Sequence, residues 1–167
     1  MRRGIGICIP AGLLITLFIL FYPFYTALTV TAVKKGQVIL CARMAEGEEF
    51  MLSFIHSFNK RPVHDTLQVA GNHLIIVQSR YDTFGAGMPE SSTESGRIET
   101  DREGWVIWKI NRSVPEIALF VGSIADHTLT LKGKRIPLLS YVESGTSLLF
   151  KLGKVSLYNL WKGKCLR

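Results

Sequence analysis

No charged residue occurs between Gly4 and Val33. A run of that length cannot be an ordinary surface helix, which needs polar side chains on its water-facing side. Ile5–Tyr25 is almost wholly apolar, and Thr26–Val33 continues it without charge. A bilayer-spanning helix needs roughly 20 such residues. A secretory signal has an apolar core of about 7–15 residues followed by small residues at its cleavage site. Val30-Thr31-Ala32 could serve as that site. The length of the run favours an uncleaved anchor over residues 1–35, with a cleaved signal peptide as the alternative. Pro10 lies near the start of the run, and Pro23 is placed to kink or end a helix. Arg2 and Arg3 precede the run and Lys34 and Lys35 follow it, so the flanking charge differs little. The expectation is a single pass through the cytoplasmic membrane, N-terminus inside and C-terminal domain outside. After signal cleavage the domain would instead be secreted or periplasmic.

The formal net charge is +7, which on its face invites a nucleic-acid partner. The distribution argues otherwise. Gly36–Glu143 carries 11 basic and 13 acidic residues, and Lys151, Lys154, Lys162, Lys164 and Arg167 follow the last acid. The basicity belongs to the two ends, which fits a membrane surface better than a nucleic-acid groove. Three cysteines, Cys8, Cys41 and Cys165, show no zinc spacing. Cys41 and Cys165 could pair if the domain is exported, tying its first strand to its tail.

From Gly36 onward the chain reads as short strands. Apolar runs lie at Gln37–Ala42, Glu49–Ile55, Thr66–Val69, Leu74–Val77, Trp105–Ile110 and Ile117–Val121. His127–Leu131 alternates cleanly, and Lys132-Gly133-Lys134 turns it into Arg135–Leu138. Gly71-Asn72 reads as a tight hairpin turn. Ser147–Leu152 and Val155–Tyr158 read as a last hairpin around Gly153-Lys154. The fold class expected is mainly β: a single β-sandwich or open barrel-like domain over residues 36–167, after one N-terminal transmembrane helix. The polar stretch 91–104 has only Ile98 to bury and is expected to be a mobile loop.

Two segments could carry function. His56, Ser57, Asn59, Lys60 and Asp65 fall in one short stretch at the end of an apolar strand, where loops on a rigid sheet commonly bind. Phe84-Gly85-Ala86-Gly87-Met88-Pro89-Glu90 combines two glycines that permit close approach with a proline that extends Met88. That segment either shares a recognition surface with His56-Ser57 or is a packed corner. It is not a phosphate loop, lacking the Lys-Ser/Thr pair and a following helix. His127, after Asp126, starts an alternating strand on the same face as Leu129. The candidate binding residues are therefore His56, Ser57, Asn59, Lys60, Asp65, Gly85, Gly87, Met88, Pro89, Glu90 and His127. None has metal-ligand spacing, no cofactor is expected, and no nucleophile elbow is present. Catalysis is not expected. Ser57 as a hydrolase nucleophile, and a small-ligand or metal module on His56, Asp65 and His127, are the competing readings.

The strings His56-Ser57 with Asn59-Lys60-Arg61-Pro62-Val63, Phe84-Gly85-Ala86-Gly87-Met88-Pro89, and His127-x-Leu129 before a Gly turn resemble the domain-of-unknown-function family numbered 1850. The resemblance covers roughly Val38 to Leu138. Where that family usually has an acidic pair after Pro-x, this chain has His64-Asp65. The resemblance implies a small prokaryotic protein with one N-terminal hydrophobic segment, associated with TRAP-type solute transporters of the TAXI class. It implies an accessory or regulatory role, and no catalytic residue.

Overall fold

The uncharged run divides at Pro23. In the computed structural model, which describes residues 5–85, 87–162 and 165–166, the first helix (α1) spans Ile5–Phe21. It stops just before a residue with no N–H to continue the ladder. At 1.5 Å per residue α1 is about 26 Å long. No helix among the described residues is long and apolar enough to cross a membrane, which corrects the expected transmembrane helix. The helix is nonetheless unshielded: Leu13, Leu14, Ile15 and Phe18 are each more than half exposed.

The rest of the run is a central strand. β1 (Tyr25–Ala32) lies between β2 (Gln37–Arg43) and β11 (Ser147–Val155), antiparallel to both. Leu28, Val30 and Ala32 point into the core, while Thr29 and Thr31 alternate to the other face and are half-buried. Thr26–Ala32 is therefore free of charge because it is buried in a sheet. The folded domain begins inside the segment 1–35 that the sequence grouped as an anchor. Lys34 and Lys35 sit in a 3-10 turn at the far end of β1, a strand's length from α1.

Two sheets form. The five-stranded one has the order β12-β2-β1-β11-β8, with β8 at Glu116–Phe120 and β12 at Cys165–Leu166. The other strands are β3 (Glu49–Ile55), β4 (Pro62–Ala70), β5 (His73–Tyr81), β6 (Arg97–Thr100), β7 (Val106–Val114), β9 (Thr128–Leu131) and β10 (Lys134–Pro137). They form a seven-stranded sheet in the order β10-β9-β3-β4-β5-β7-β6. Leu28, Val30, Leu148 and Phe150 from the first sheet meet Phe50, Leu52, Leu67, Leu74 and Leu129 from the second in one core. The fold is mainly β, as expected.

Several strand expectations need correction. Ser147–Val155 is one continuous strand with no turn at Gly153-Lys154, because β1 pairs it along its full length, Gly153 opposite Ala27 and Lys154 opposite Thr26. After it the chain enters a short helix, α2 (Leu157–Trp161), whose Ser156 Oγ accepts a hydrogen bond from Asn159 N at 3.3 Å. β8, despite its apolar run, is an edge strand with Phe120 64% exposed. Residues 97–100 of the stretch 91–104 are strand β6, held by its ladder to β7, by Ile98 packing inward and by a 2.7 Å ion pair between Glu99 and Lys109.

Cys41 is disulfide-bonded. The parallel β12–β2 pairing sets Cys165 beside Cys41 in the backbone register.

The two ends of the seven-stranded sheet differ. Residues 44–48 carry the chain from the end of β2, beside the start of β1 and α1, to the start of β3. Met44 N donates to Thr26 O at 2.9 Å and Val69 N to Glu48 O at 3.0 Å, which fixes that corner. The finish of β3 lies at the opposite end. There the starts of β4, β7 and β9 and the finish of β5 come together, since Ile55 pairs Pro62, Val63 pairs Tyr81, and Tyr81 pairs Val106.

Candidate functional site

The loop end gathers three connections: 56–61, 82–96 and 121–127. The first is a tight reversal. His56 N donates to Arg61 O at 2.8 Å and Lys60 N to His56 O at 3.0 Å, with Lys60 at φ +55°. Asn59 Oδ1 accepts from Arg61 N at 3.2 Å, a side chain standing in for a backbone turn. Its Nδ2 donates to Thr83 O at 3.3 Å, reaching the second connection. Arg61 reaches it too, pairing with Asp82 through its Nε (3.1 Å) and its Nη2. The Asp82 carboxyl is held below its ordinary value, mainly by the hydrogen bond from Arg61.

Gly85 closes this junction. A Cβ there would lie 2.8 Å from Asn59 Nδ2 and 3.6 Å from His56 Cε1. The backbone of the second segment thus rests on the side chains of the first, which only glycine permits. Met88 N then donates to Gly85 O at 3.0 Å, a turn with Gly87 at φ +81°. Beyond it the segment folds back across the inner face of the sheet. Met88 packs on a satellite cluster of Val63, Tyr81 and Val106, and Tyr81 donates its hydroxyl to Pro89 O at 2.8 Å. Gly96 lies over Trp108, with room for no side chain: a Cβ would come within 2.2 Å of the indole nitrogen. The stretch Phe84–Glu90 is therefore both a contact with His56 and Asn59 and a packed corner. Ala86 falls outside the described residues.

The third connection is drawn in by Ile55 N, which donates to Ala125 O at 2.7 Å. His127 is buried, with its ring 5.7 Å from that of Phe54, which also packs on the satellite cluster. Its Nδ1 is buried with no hydrogen-bond partner among the described residues, and burial lowers its pKa. Asp65 is one row deeper. It alternates in phase with Val63 and pairs with Leu52, so it faces the core, where Ser79 Oγ donates to its carboxylate. Burial raises its pKa, against the smaller opposing effect of the Ser79 bond.

The structure thus joins His56, Asn59, Gly85, Met88 and Pro89, and connects His127 to them through Phe54. Ser57, Lys60, Gly87 and Glu90 are exposed on the same end. Asp65 stands apart as an internal carboxylate. Among the described residues no three of His, Cys, Asp or Glu are grouped to hold a metal ion. A cleft of about 740 Å³ lies elsewhere, among Lys34, Lys35, Gln37, Tyr141 and Glu143.

A polar row on the outer face escaped the sequence. His64 Nδ1 lies 2.8 Å from Ser53 Oγ, and its ring is 5.6 Å from Trp105. Arg80 stacks over Trp105 at 4.4 Å and binds Asp101 and Glu103, both at 2.7 Å. Burial lowers the His64 pKa, and Arg80 and Arg135 add to the effect. Ser53, His64 and Arg80 belong to three different strands, and only the register Ser53–His64–Arg80 assembles them.

No curated protein and no solved structure matches the chain. A family model does, over residues 50–138, starting later than the Val38 expected from the motifs. That span runs from β3 through β10, taking in the whole seven-stranded sheet and all three connections of the loop end. The chain belongs to the family described as Domain of unknown function (DUF1850).

Proposed function

We propose that this chain is an interaction protein: an extracytoplasmic β-domain, held at a membrane by α1, whose loop end binds a protein partner. The observation that carries the reading is the union of the 56–61 and 82–90 segments through Asn59 and Gly85. This end also holds exposed apolar side chains, Phe58 (75%), Phe84 (43%) and Ile124 (68%), on a tied-down frame. The disulfide at Cys41 supports an oxidising, extracytoplasmic location. The almost wholly apolar α1, exposed over residues 11–19, supports lipid as its surroundings, as membrane anchor or as signal segment. Arg2 and Arg3 flank its start, while Lys34 and Lys35 are a strand away.

The partner class comes from the family resemblance: a TRAP-type solute transporter of the TAXI class, with this chain as accessory or regulatory protein. The loop end lies at the opposite end of β3 from the α1 corner, so a domain held by α1 presents it away from the bilayer. That favours the soluble solute-binding component over membrane-embedded subunits. The reading is non-enzymatic: Ser57 is exposed and the neighbouring His56 ring accepts from Phe58 N at 3.4 Å. Photo-crosslinkers at Phe58 and Phe84 in intact cells, followed by recovery from detergent-solubilised membranes, should yield the solute-binding component. Recovery of no transporter subunit would sink the assignment.

A further inference from the structure

The end of the domain opposite the candidate loops carries a second surface. α2 packs beside the end of α1, with the Phe21 and Tyr158 rings 5.0 Å apart. Tyr158 and Trp161 are three residues apart on α2 and so share a face. Trp161 is 72% exposed, and Tyr22 and Phe24 are about half exposed with their rings 4.5 Å apart. These aromatics surround the point where α1 enters the domain.

Cations accompany them. Arg43 lies 4.3 Å over the Tyr25 ring, Lys162 Nζ is 5.6 Å from the Tyr158 ring, and Lys154 Nζ donates to Thr26 Oγ1 at 2.9 Å. The acids of the neighbouring connection are turned to the other sheet. Glu46 accepts from Gly71 N at 3.0 Å, and Glu48 binds Lys132 at 2.7 Å. The sequence has no acid after Glu143.

We infer that this end is a lipid-contact surface. Tyr22, Phe24, Tyr158 and Trp161 lie at the boundary between water and hydrocarbon, and Arg43, Lys154 and Lys162 face anionic phospholipid headgroups. Aromatic rings with one apolar and one polar part collect at that boundary, and clustered cations are drawn to anionic lipid. The inference rests on α1 being in lipid. It adds that the folded domain itself, through α2, sits on the bilayer in a fixed orientation.

The test uses the full chain reconstituted into phosphatidylethanolamine–phosphatidylglycerol vesicles containing headgroup- or shallow-nitroxide lipids. Tryptophan fluorescence should be quenched, and the quenched component should vanish in Trp161→Phe, since Trp105 and Trp108 lie on the other sheet. Replacing Lys154 and Lys162 by Glu should lower the quenched signal by roughly half or more, as expected for removing cations near an anionic surface. If the protein floats with the vesicles but quenches identically with and without Trp161, this inference falls while the α1 reading stands. If Trp161 is shielded because two copies pair through these aromatics, chemical crosslinking yields dimers and the inference falls as well. If the protein does not float with vesicles at all, the α1 reading falls and takes this one with it.

Discussion

Gly85 and Asn59 compete for one space, and that competition defines the candidate site at the level of single residues. Gly85→Ala should displace the Asn59 side chain, break its bond to Thr83 O and lower stability by roughly 1–2 kcal/mol. Asn59→Ala removes the obstacle, so the double variant should lose less than the sum of the two single variants. Urea denaturation of the four proteins checks this, and strict additivity would show that the two segments do not touch. Asp65 gives a pH prediction. Its folded-state pKa is raised by burial, so the folded chain binds the proton more tightly than the unfolded one. Its contribution is therefore fully present below the unfolded value and is lost as pH rises through the folded value. Asp65→Asn should stabilise the protein at pH 8 by about 1–2 kcal/mol, the usual cost of a buried and poorly satisfied polar group, and by less at pH 4. Thermal melts across that range decide it, and a pH-independent difference would refute the burial argument. His64 and His127 have the opposite sign: their lowered values make stability fall as pH drops through their unfolded value. For that reason the variant-minus-parent difference, rather than the parent curve, isolates Asp65.

Among the elements, the decisive one is β1. It is the middle strand of its sheet, with Ala27, Leu28 and Val30 fully buried. Cleavage at Val30-Thr31-Ala32 would remove it and strip β2 and β11 of the partner they share, splitting the sheet in two. Any mature N-terminus should therefore lie upstream of Tyr25, which N-terminal sequencing of the protein from cells reads directly. A chain starting at Val33 should fail to fold, with loss of cooperative unfolding; a cooperative transition in that truncation would overturn the topology. The segment 82–96 is the other element with a structural role beyond connection. By folding over Tyr81 and Trp108 it covers a cluster that the first sheet does not reach. Gly96→Ala, which would press on the Trp108 indole and on Lys109 O, should cost more than Gly87→Ala, whose Cβ meets nothing within 4 Å and carries only the strain of φ +81°.

Across the molecule, the two ends divide the labour. One joins α1, α2 and the cations Arg43, Lys154 and Lys162; the other presents the three loops of the family-matched region. The disulfide at Cys41 ties the edge of the five-stranded sheet against fraying. Cys41→Ser should lower stability by about 2–4 kcal/mol, and reducing agent should have the same effect on the parent and none on the variant. Equal denaturation midpoints in oxidised and reduced parent protein would show the bond to be structurally idle.

Strand positions in the middle of the chain were legible in the sequence, closely at β3 and β9, but β4, β5 and β7 run four or five residues beyond the apolar runs Thr66–Val69, Leu74–Val77 and Trp105–Ile110, so that Asp65, read in a loop, lies in β4. Glu49–Ile55, the Gly71 hairpin and the alternation from Thr128 to Leu131 are local patterns of apolar period and turn chemistry. Local chemistry also marked Phe84–Pro89 and His56–Asn59 as belonging to one question. Which side chains meet was settled by tertiary pairing alone. A period of two assigns a residue to a face but not to a neighbour, so the row Ser53–His64–Arg80, the inward carboxylate of Asp65 and the seat of Gly85 on Asn59 waited for the register. The same holds for Gly4–Val33. Lipid and a central strand both exclude water and charge, so composition could not tell them apart. The pairing of Thr26–Ala32 with Lys154–Leu148 settled which part of the run belongs to the sheet.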